Sequence, residues 1–125
     1  MLLDTSTLIW LHRKPGLLGK KTTAALQKAA AVYFSPLSLF EIAQKDGIDA
    51  TGTKLIAKAS IEAGLVELPV SAAQVLESSR FGTLRNTDPF DLLLISQAVS
   101  AGFDFYTSDQ RLLALGFDWI KDASL

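Results

Sequence analysis

Short apolar segments alternate with longer segments of helical periodicity from one end of the chain to the other. The apolar segments predict four strands and a last strand-like segment, at Met1–Asp4, Val32–Phe34, Leu65–Leu68, Phe103–Tyr106 and Trp119–Ile120. Strands that are separated by helices run parallel in a sheet, because a parallel connection needs a crossover of about a dozen residues or more. The alternation therefore predicts an α/β fold, an α/β/α sandwich around a central, mostly parallel sheet.

Helices are expected over residues 5–12, 18–30, 37–45, 52–64, 72–81 and 88–101, with a short one ending near Leu115. Capping residues are expected to start several of them: the hydroxyls of Thr5–Thr7, Ser35-Pro36, Ser71 and Asp88-Pro89. Breaks are expected at Lys14–Gly16 and Asp46-Gly47, and a polar loop at Gly82–Thr87. The chain of 125 residues shows no internal repeat or linker, so we expect one domain over residues 1–125.

Four carboxylates fall at informative places in this pattern. Asp4 and Asp109 directly follow strands, and ligands of open α/β sheets bind at the carboxyl ends of strands. Asp91 lies in the first turn of a helix and Glu41 in the middle of another. Each acid also has a structural alternative: a cap or turn for the first two, a helix-dipole partner for Asp91, and an ion pair with Lys45 for Glu41. Spacing alone leaves open whether the four converge.

The composition limits the possible chemistry. The chain has no cysteine, which excludes disulfides, zinc fingers and iron–sulfur clusters and suits a reducing cytosol. The net charge of −1 argues against a nucleic-acid ligand. Setting four of the 13 acidic residues aside as metal ligands leaves nine against 12 basic residues, a balance of +3, which weakens that objection.

Four motifs occur in one order along nearly the whole chain. They are Leu2–Trp10 (LLDTSTLIW), Ser35–Lys45 (SPLSLFEIAQK), Asp88–Ala98 (DPFDLLLISQA) and Tyr106–Asp109 (YTSD). In order, spacing and total length they resemble the motifs of VapC-type PIN-domain toxins of VapBC toxin–antitoxin pairs. Relatives often have a basic residue after the Asp-Pro-Phe-Asp motif and a histidine followed by a basic residue before it, where this chain has Leu92 and Asn86-Thr87. These differences concern the expected substrate contacts near that loop and not the metal site.

The resemblance implies a PIN-like fold and a Mg²⁺-dependent endoribonuclease acting on single-stranded or structured RNA, with Mn²⁺ as a possible substitute. Its catalytic and metal-binding residues would be Asp4, Glu41, Asp91 and Asp109. Asp88 matches a further acid of this group, with a helix N-cap as an equal alternative. Thr5 and Thr107 match hydroxyls that support the site. The expected partners are the RNA substrate, a VapB-like antitoxin and a second copy in a homodimer.

Ligation by oxygen alone favours a hard divalent ion, which would activate water for in-line attack on a phosphodiester without a covalent intermediate. Basic residues that are candidates for phosphate contacts are Arg13, Lys14, Lys20, Lys21, Lys45, Arg80, Arg85 and Arg111. The single histidine, His12, is expected at the surface or near phosphate rather than as a general base.

A non-enzymatic alternative is a catalytically silent PIN-like binding module or scaffold. A dehalogenase-like phosphatase is disfavoured because position 6 is Ser6 rather than an aspartate, and a receiver domain because no convincing acceptor set is found. No glycine-rich nucleotide loop is present.

The apolar start lacks the pattern of a signal peptide and no apolar stretch approaches about 20 residues, so we expect a cytoplasmic protein without a membrane segment.

Overall fold

The sheet of this protein is parallel throughout the residues that the computed structural model describes, which are 1–45, 47–81 and 87–125. Its five strands are β1 (Leu2–Leu3), β2 (Tyr33–Phe34), β3 (Val66–Glu67), β4 (Phe105–Thr107) and β5 (Ile120–Asp122). They are ordered β3-β2-β1-β4-β5, and every pairing is parallel. The expected α/β fold with a parallel sheet is confirmed.

Helices connect the strands. They are α1 (Thr5–Arg13), α2 (Lys20–Lys28), α3 (Pro36–Gln44), α4 (Ala50–Glu62), α5 (Ala72–Glu77), α6 (Pro89–Ala101) and α7 (Gln110–Leu113), with 3₁₀ turns at Pro15–Leu17 and Ser78–Phe81. The helix α4 starts two residues before the expected Gly52, because the side chain of Asp49 accepts a hydrogen bond from the Gly52 N–H at 2.7 Å and caps it. The helix expected over 72–81 ends at Glu77 and continues as the second 3₁₀ turn.

The two residues of β1 anchor the helices on both faces of the sheet. Successive side chains of a strand point to opposite faces. Leu2 packs in a core cluster with Leu94 and Phe105. Leu3 packs in a second cluster with Phe34 of β2 and with residues of α1, α3 and α4. Both leucines are fully buried, and each such side chain contributes about 1.5–3 kcal/mol. The sandwich therefore has two cores, one on each side of β1 and its neighbours.

The order in which the chain adds strands to the sheet reverses between β1 and β4, although the two strands are parallel. From β1 the chain proceeds outwards to β2 and β3, and it then returns to the other side of β1 for β4 and β5. The carboxyl ends of strands at such a switch point form a crevice. Asp4 and Asp109 follow β1 and β4, so the topology brings them to this crevice.

Two sequence predictions fall partly outside the described residues: the helix end at Asp46-Gly47 and the loop Gly82–Thr87. The helix α3 ends at Gln44. None of the described helices has the length and apolar character needed to span a membrane.

Candidate metal centre

All four acids expected at a site line one open groove at the carboxyl ends of β1 and β4. The groove has a volume of about 490 Å³, and a fifth acid, Asp88, also lines it. The end of β1 contributes Asp4, α3 contributes Glu41, the start of α6 contributes Asp88 and Asp91, and the segment after β4 contributes Asp109. Acids from distant parts of the sequence thus meet in one place.

The most compact part of this groove differs from the expected set. Glu41, Asp88 and Asp91 each offer one carboxylate oxygen, and these three oxygens lie within 4.8 Å of one another. We call these residues the carboxylate trio. Asp4 and Asp109 line the same groove outside this trio. The trio therefore includes Asp88, for which the sequence left a cap and a site residue equally open.

Asp88 is both the cap of α6 and a member of the carboxylate trio. Its Oδ1 accepts hydrogen bonds from the backbone N–H groups of Phe90 at 2.8 Å and Asp91 at 3.4 Å, so that it caps α6 ahead of Pro89. Both bonds go to Oδ1, and the cap by itself does not use Oδ2. A helix cap and a site carboxylate are therefore compatible at this residue.

Asp91 is the acid whose protonation the groove changes most clearly. Burial, followed by the charges of Asp88, Glu41, Asp109 and Asp4, raises the pKa of Asp91 to about 7. Neighbouring carboxylates disfavour the ionised form of one another, and a cation among them removes that cost. The groove is electrostatically suited to a positive ligand.

The pKa of Glu41 is subject to opposing effects. Burial raises its pKa, while a hydrogen bond from Thr5 and the charge of Lys45 lower it. The Lys45 Nζ lies 3.9 Å from Oε1 of Glu41, and the lysine side chain is 45% exposed. The helix ion pair considered from the sequence is thus present, but such exposed pairs contribute little, and it leaves Glu41 in the trio.

Asp4 is buried and tightly held. Its Oδ1 accepts a hydrogen bond from the Thr7 N–H at 2.7 Å, its Oδ2 accepts one from the Thr107 hydroxyl, and the Ser6 hydroxyl lies 3.0 Å from both oxygens. Burial raises the pKa of Asp4, and these hydrogen bonds oppose the rise. Asp4 itself caps α1, which corrects the prediction that the hydroxyls of Thr5–Thr7 do so.

Two serines in the groove were not predicted as site residues. The Ser6 hydroxyl, which contacts Asp4, also lies 2.8 Å from the hydroxyl of Ser108. Both serines line the groove. Their sequence signal is their position, since Ser6 follows Asp4 by two residues and Ser108 directly precedes Asp109.

Asp109 is bound to a basic side chain. It caps α7 by accepting from the Arg111 N–H at 2.8 Å, and its Oδ2 lies 2.8 Å from Nη2 of Arg111. The guanidinium of Arg111 lowers the pKa of Asp109. Asp109 is therefore ionised and paired, at the edge of the groove rather than in the trio.

Of the basic residues considered for phosphate contacts, Lys45 and Arg111 line the groove. Arg80 pairs with Glu77 at 3.1 Å, and Arg85 lies outside the described residues. Of the candidates within the described residues, these two therefore lie at the groove.

His12 lies away from the groove. Its Nε2 is 2.9 Å from the Ser60 hydroxyl, which itself donates to the Ile56 carbonyl, so His12 is the donor. It lines a different cavity together with Val32 and Leu65, which precede β2 and β3. This partly buried position at the amino ends of the strands differs from the surface or phosphate contact expected for it.

The donor set of the groove fits a hard divalent cation. The acids offer carboxylate oxygens only, and Mg²⁺ and Mn²⁺ prefer such ligands. The trio places three oxygens close enough together to share one ion.

A parallel α/β/α sandwich with acids at its topological switch point defines the class of this protein. The model of the PIN domain family matches residues 1–118. The chain therefore belongs to the PIN-domain family. No curated protein matches the sequence.

Solved structures of toxin–antitoxin proteins share the fold. The chain resembles VapBC2 of Rickettsia felis, bound to a DNA fragment from its promoter, with 13% identity, a TM-score of 0.68 and 90% of each chain covered. It resembles a toxin–antitoxin complex of Klebsiella pneumoniae with 16% identity and a TM-score of 0.69, over 98% of this chain and 96% of that one. It also resembles VapC20 of Mycobacterium tuberculosis, a Sarcin-Ricin loop cleaving toxin, with 18% identity and a TM-score of 0.67, over 96% and 98%.

Proposed function

We propose that this protein is a metal-dependent endoribonuclease and the toxin of a VapBC-type toxin–antitoxin pair. The observation that carries the proposal is the meeting of Asp4, Glu41, Asp88, Asp91 and Asp109 in one groove of a PIN-domain fold. The toxin assignment is supported by the likeness to VapC and VapBC structures over at least 90% of the chain. A VapB-like antitoxin, a homodimer, a cytoplasmic location and a single domain over residues 1–125 belong to the same proposal.

The carboxylate trio would hold Mg²⁺ or Mn²⁺, with Asp4 and Asp109 as the further acids of the site. A bound divalent ion supplies a lowered pKa for water and charge that stabilises phosphoryl oxygens. The ionised form of Asp91 is the one that can act as a ligand, and its pKa of about 7 means that a proton must leave it near neutral pH. Thr107, Thr7 and Ser6 hold the carboxylate of Asp4 in a fixed orientation.

RNA is the proposed substrate, and the chain offers two groups for its phosphates. Both line the groove: Lys45 directly follows α3, and Arg111 lies in α7. Both side chains are well exposed, at 45% and 81%, so they can reorient from their carboxylate partners towards a phosphodiester. Basic contacts of this kind position the backbone without reading the sequence.

A nuclease assay tests the proposal. The purified chain, freed of antitoxin, is incubated with end-labelled RNA and Mg²⁺ or Mn²⁺, with and without EDTA. Cleavage is expected only with the metal. Asp91→Asn should reduce it by more than the roughly 10–100-fold that follows loss of an outer partner of a metal ligand. The matched control is Asp118→Asn, because Asp118 is exposed and precedes β5, at the opposite end of the strands from the groove.

Cleavage that persists in EDTA, or in purified Asp91→Asn at the wild-type rate, would contradict the proposal. RNA binding without any cleavage would instead favour the PIN-like binding module. If cleavage is found, sequencing the new RNA ends after induced expression identifies the target.

A further inference from the structure

Two phenyl rings lie side by side at the groove. The rings of Phe40 and Phe90 have centroids 5.5 Å apart and planes inclined by 32°. Phe90 lines the groove, and Phe40 is 56% exposed. Among the described residues, neither ring belongs to the two core clusters. Packing of the core therefore does not account for this pair.

The pair is attached to the same two helices as the carboxylate trio. Phe40 directly precedes Glu41 on α3, and Phe90 directly precedes Asp91 in the first turn of α6. Residues four apart share one face of a helix, and Gln44, four residues after Phe40, lines the groove. The face of α3 that carries Phe40 is thus turned towards the groove.

The surroundings combine an aromatic surface with phosphate-binding groups. Lys45 and Arg111 lie in the same groove as Phe90. Proteins that hold single-stranded nucleic acid combine basic groups for the backbone with aromatic rings on which bases stack. A base inside a duplex has both faces covered, so only an unpaired base can use such rings.

We propose that Phe40 and Phe90 form an aromatic platform on which one unpaired nucleobase of the RNA substrate stacks, beside the phosphodiester held at the acids. This inference rests on the proposed ribonuclease function and adds a requirement to it. The platform selects RNA with an unpaired nucleotide next to the cleaved bond and accepts any base, because every base has a π face.

The test measures the binding and cleavage of single-stranded RNA by Phe40→Leu. The exposed position of Phe40 lets leucine replace it without loss of the fold, which thermal melting checks. Phe40→Leu should weaken RNA binding by about 5- to 150-fold, the range for loss of one stacked base, while Phe40→Trp should retain it. The matched control is Phe117→Leu, because Phe117 is 39% exposed and stacks on Trp119 at 5.3 Å, before β5 and away from the groove.

A second arm identifies the base itself. A single abasic nucleotide is placed in turn at each position of the RNA. In the wild type, one position should show a loss of binding as large as that caused by Phe40→Leu. In Phe40→Leu the same abasic substitution should cost much less binding than in the wild type, because one of the two rings of the platform is already gone.

The outcomes separate the two proposals. If the wild type cleaves RNA and Phe40→Leu shows the same affinity and the same abasic profile, the platform is wrong and the nuclease stands. If the wild type neither binds nor cleaves RNA with a divalent ion, both proposals fail. A change in oligomeric state of Phe40→Leu by sedimentation, with an unchanged abasic profile, would assign the rings to an interface between copies and overturn the platform.

Discussion

The hydroxyl of Thr107 donates a hydrogen bond to Oδ2 of Asp4, and so joins the end of β4 to the end of β1. The hydroxyl oxygen of Thr107 in turn accepts a hydrogen bond from the backbone N–H of Asp109 at 3.0 Å. Thr107 is fully buried, and Asp4 is 4% exposed. One hydroxyl therefore holds two acids of the groove in register across neighbouring strands.

Thr107→Val should lower the free energy of unfolding by about 1–3 kcal/mol. Valine has a similar shape but no hydroxyl, so it removes one of the hydrogen bonds to Oδ2 of Asp4 and leaves the Asp109 N–H without its partner, and an unpaired buried group costs about this much. Urea denaturation with EDTA present measures the effect. Thr107→Ser keeps the hydroxyl, so its free energy of unfolding should fall by less. A valine variant as stable as the wild type would show that this hydrogen bond does not stabilise the fold.

Substitutions at Asp88 separate its cap from its proposed role as a ligand. Asp88→Asn keeps an Oδ1 acceptor for the Phe90 N–H but removes a charge that repels Glu41 and Asp91, so in EDTA it should melt no lower than the wild type, and it should bind Mn²⁺ more weakly. Asp88→Ala also removes the cap, which costs about 0.5–2 kcal/mol. In the wild type, Mn²⁺ at ten times its Kd should add about 1.4 kcal/mol to stability.

Thermal melting with increasing Mn²⁺ measures both effects of Asp88. The control is Asp49→Asn, because Asp49 caps α4 in the same manner and does not line the groove. Wild-type Mn²⁺ affinity in Asp88→Asn would restrict this residue to capping.

The sequence predicted the sheet and the position of the strand-end acids better than the compact part of the groove. The alternation of strands and helices is a local pattern, and acids that follow parallel strands meet at one edge of a sheet. The proximity of Glu41 to Asp88, in contrast, depends on how α3 packs beside α6, which no local pattern specifies. Local chemistry predicted only the cap formed by Asp88.

One local detail was predicted with the wrong residue, and another was not predicted. The prediction assigned the cap of α1 to the hydroxyls after Asp4, although aspartate is as good a cap as serine or threonine. The pairing of Asp109 with Arg111 was not predicted, because the bond depends on a short turn between them. Both details concern which of several adjacent polar groups forms one hydrogen bond.

The contribution of Asp91 to the stability of the metal-free protein should fall as the pH rises from about 4 to 7. The pKa of Asp91 is about 7 in the folded state and has the ordinary value of 3.8 when unfolded. Between these values the folded state binds a proton that the unfolded state does not, so a rise in pH favours unfolding. The raised pKa values of Asp4 and Glu41 act in the same direction.

Urea denaturation in EDTA at pH 5.5 and pH 8 measures this dependence, and Asp91→Asn should reduce it because asparagine does not titrate. Equal pH dependence in the variant and the wild type would show that Asp91 has an ordinary pKa.

Mn²⁺ binding should weaken as the pH falls below about 7. The ion competes with a proton for Asp91, so affinity should drop towards tenfold for each further pH unit once that acid is protonated. Calorimetry in buffers of different ionisation enthalpy should detect release of up to one proton at pH 6. Binding at pH 6 and pH 8 with one affinity and no proton release would remove Asp91 from the ligand set.

Arg111→Ala should raise the affinity for Mn²⁺ and lower that for RNA. The guanidinium holds the carboxylate of Asp109 at 2.8 Å and adds positive charge beside the groove. Its removal frees a ligand and lessens repulsion of the cation, a gain of a few-fold because exposed ion pairs are weak. It also removes a proposed phosphate contact, so the salt dependence of RNA binding should fall by about one unit of slope.

Arg80→Ala is the control, since it breaks a similar ion pair with Glu77 outside the groove. Opposite shifts for the two ligands in Arg111→Ala, with neither shift in the control, would identify Arg111 as a group that exchanges Asp109 for phosphate. Weakened binding of both ligands would instead mean that Arg111 supports the groove structurally.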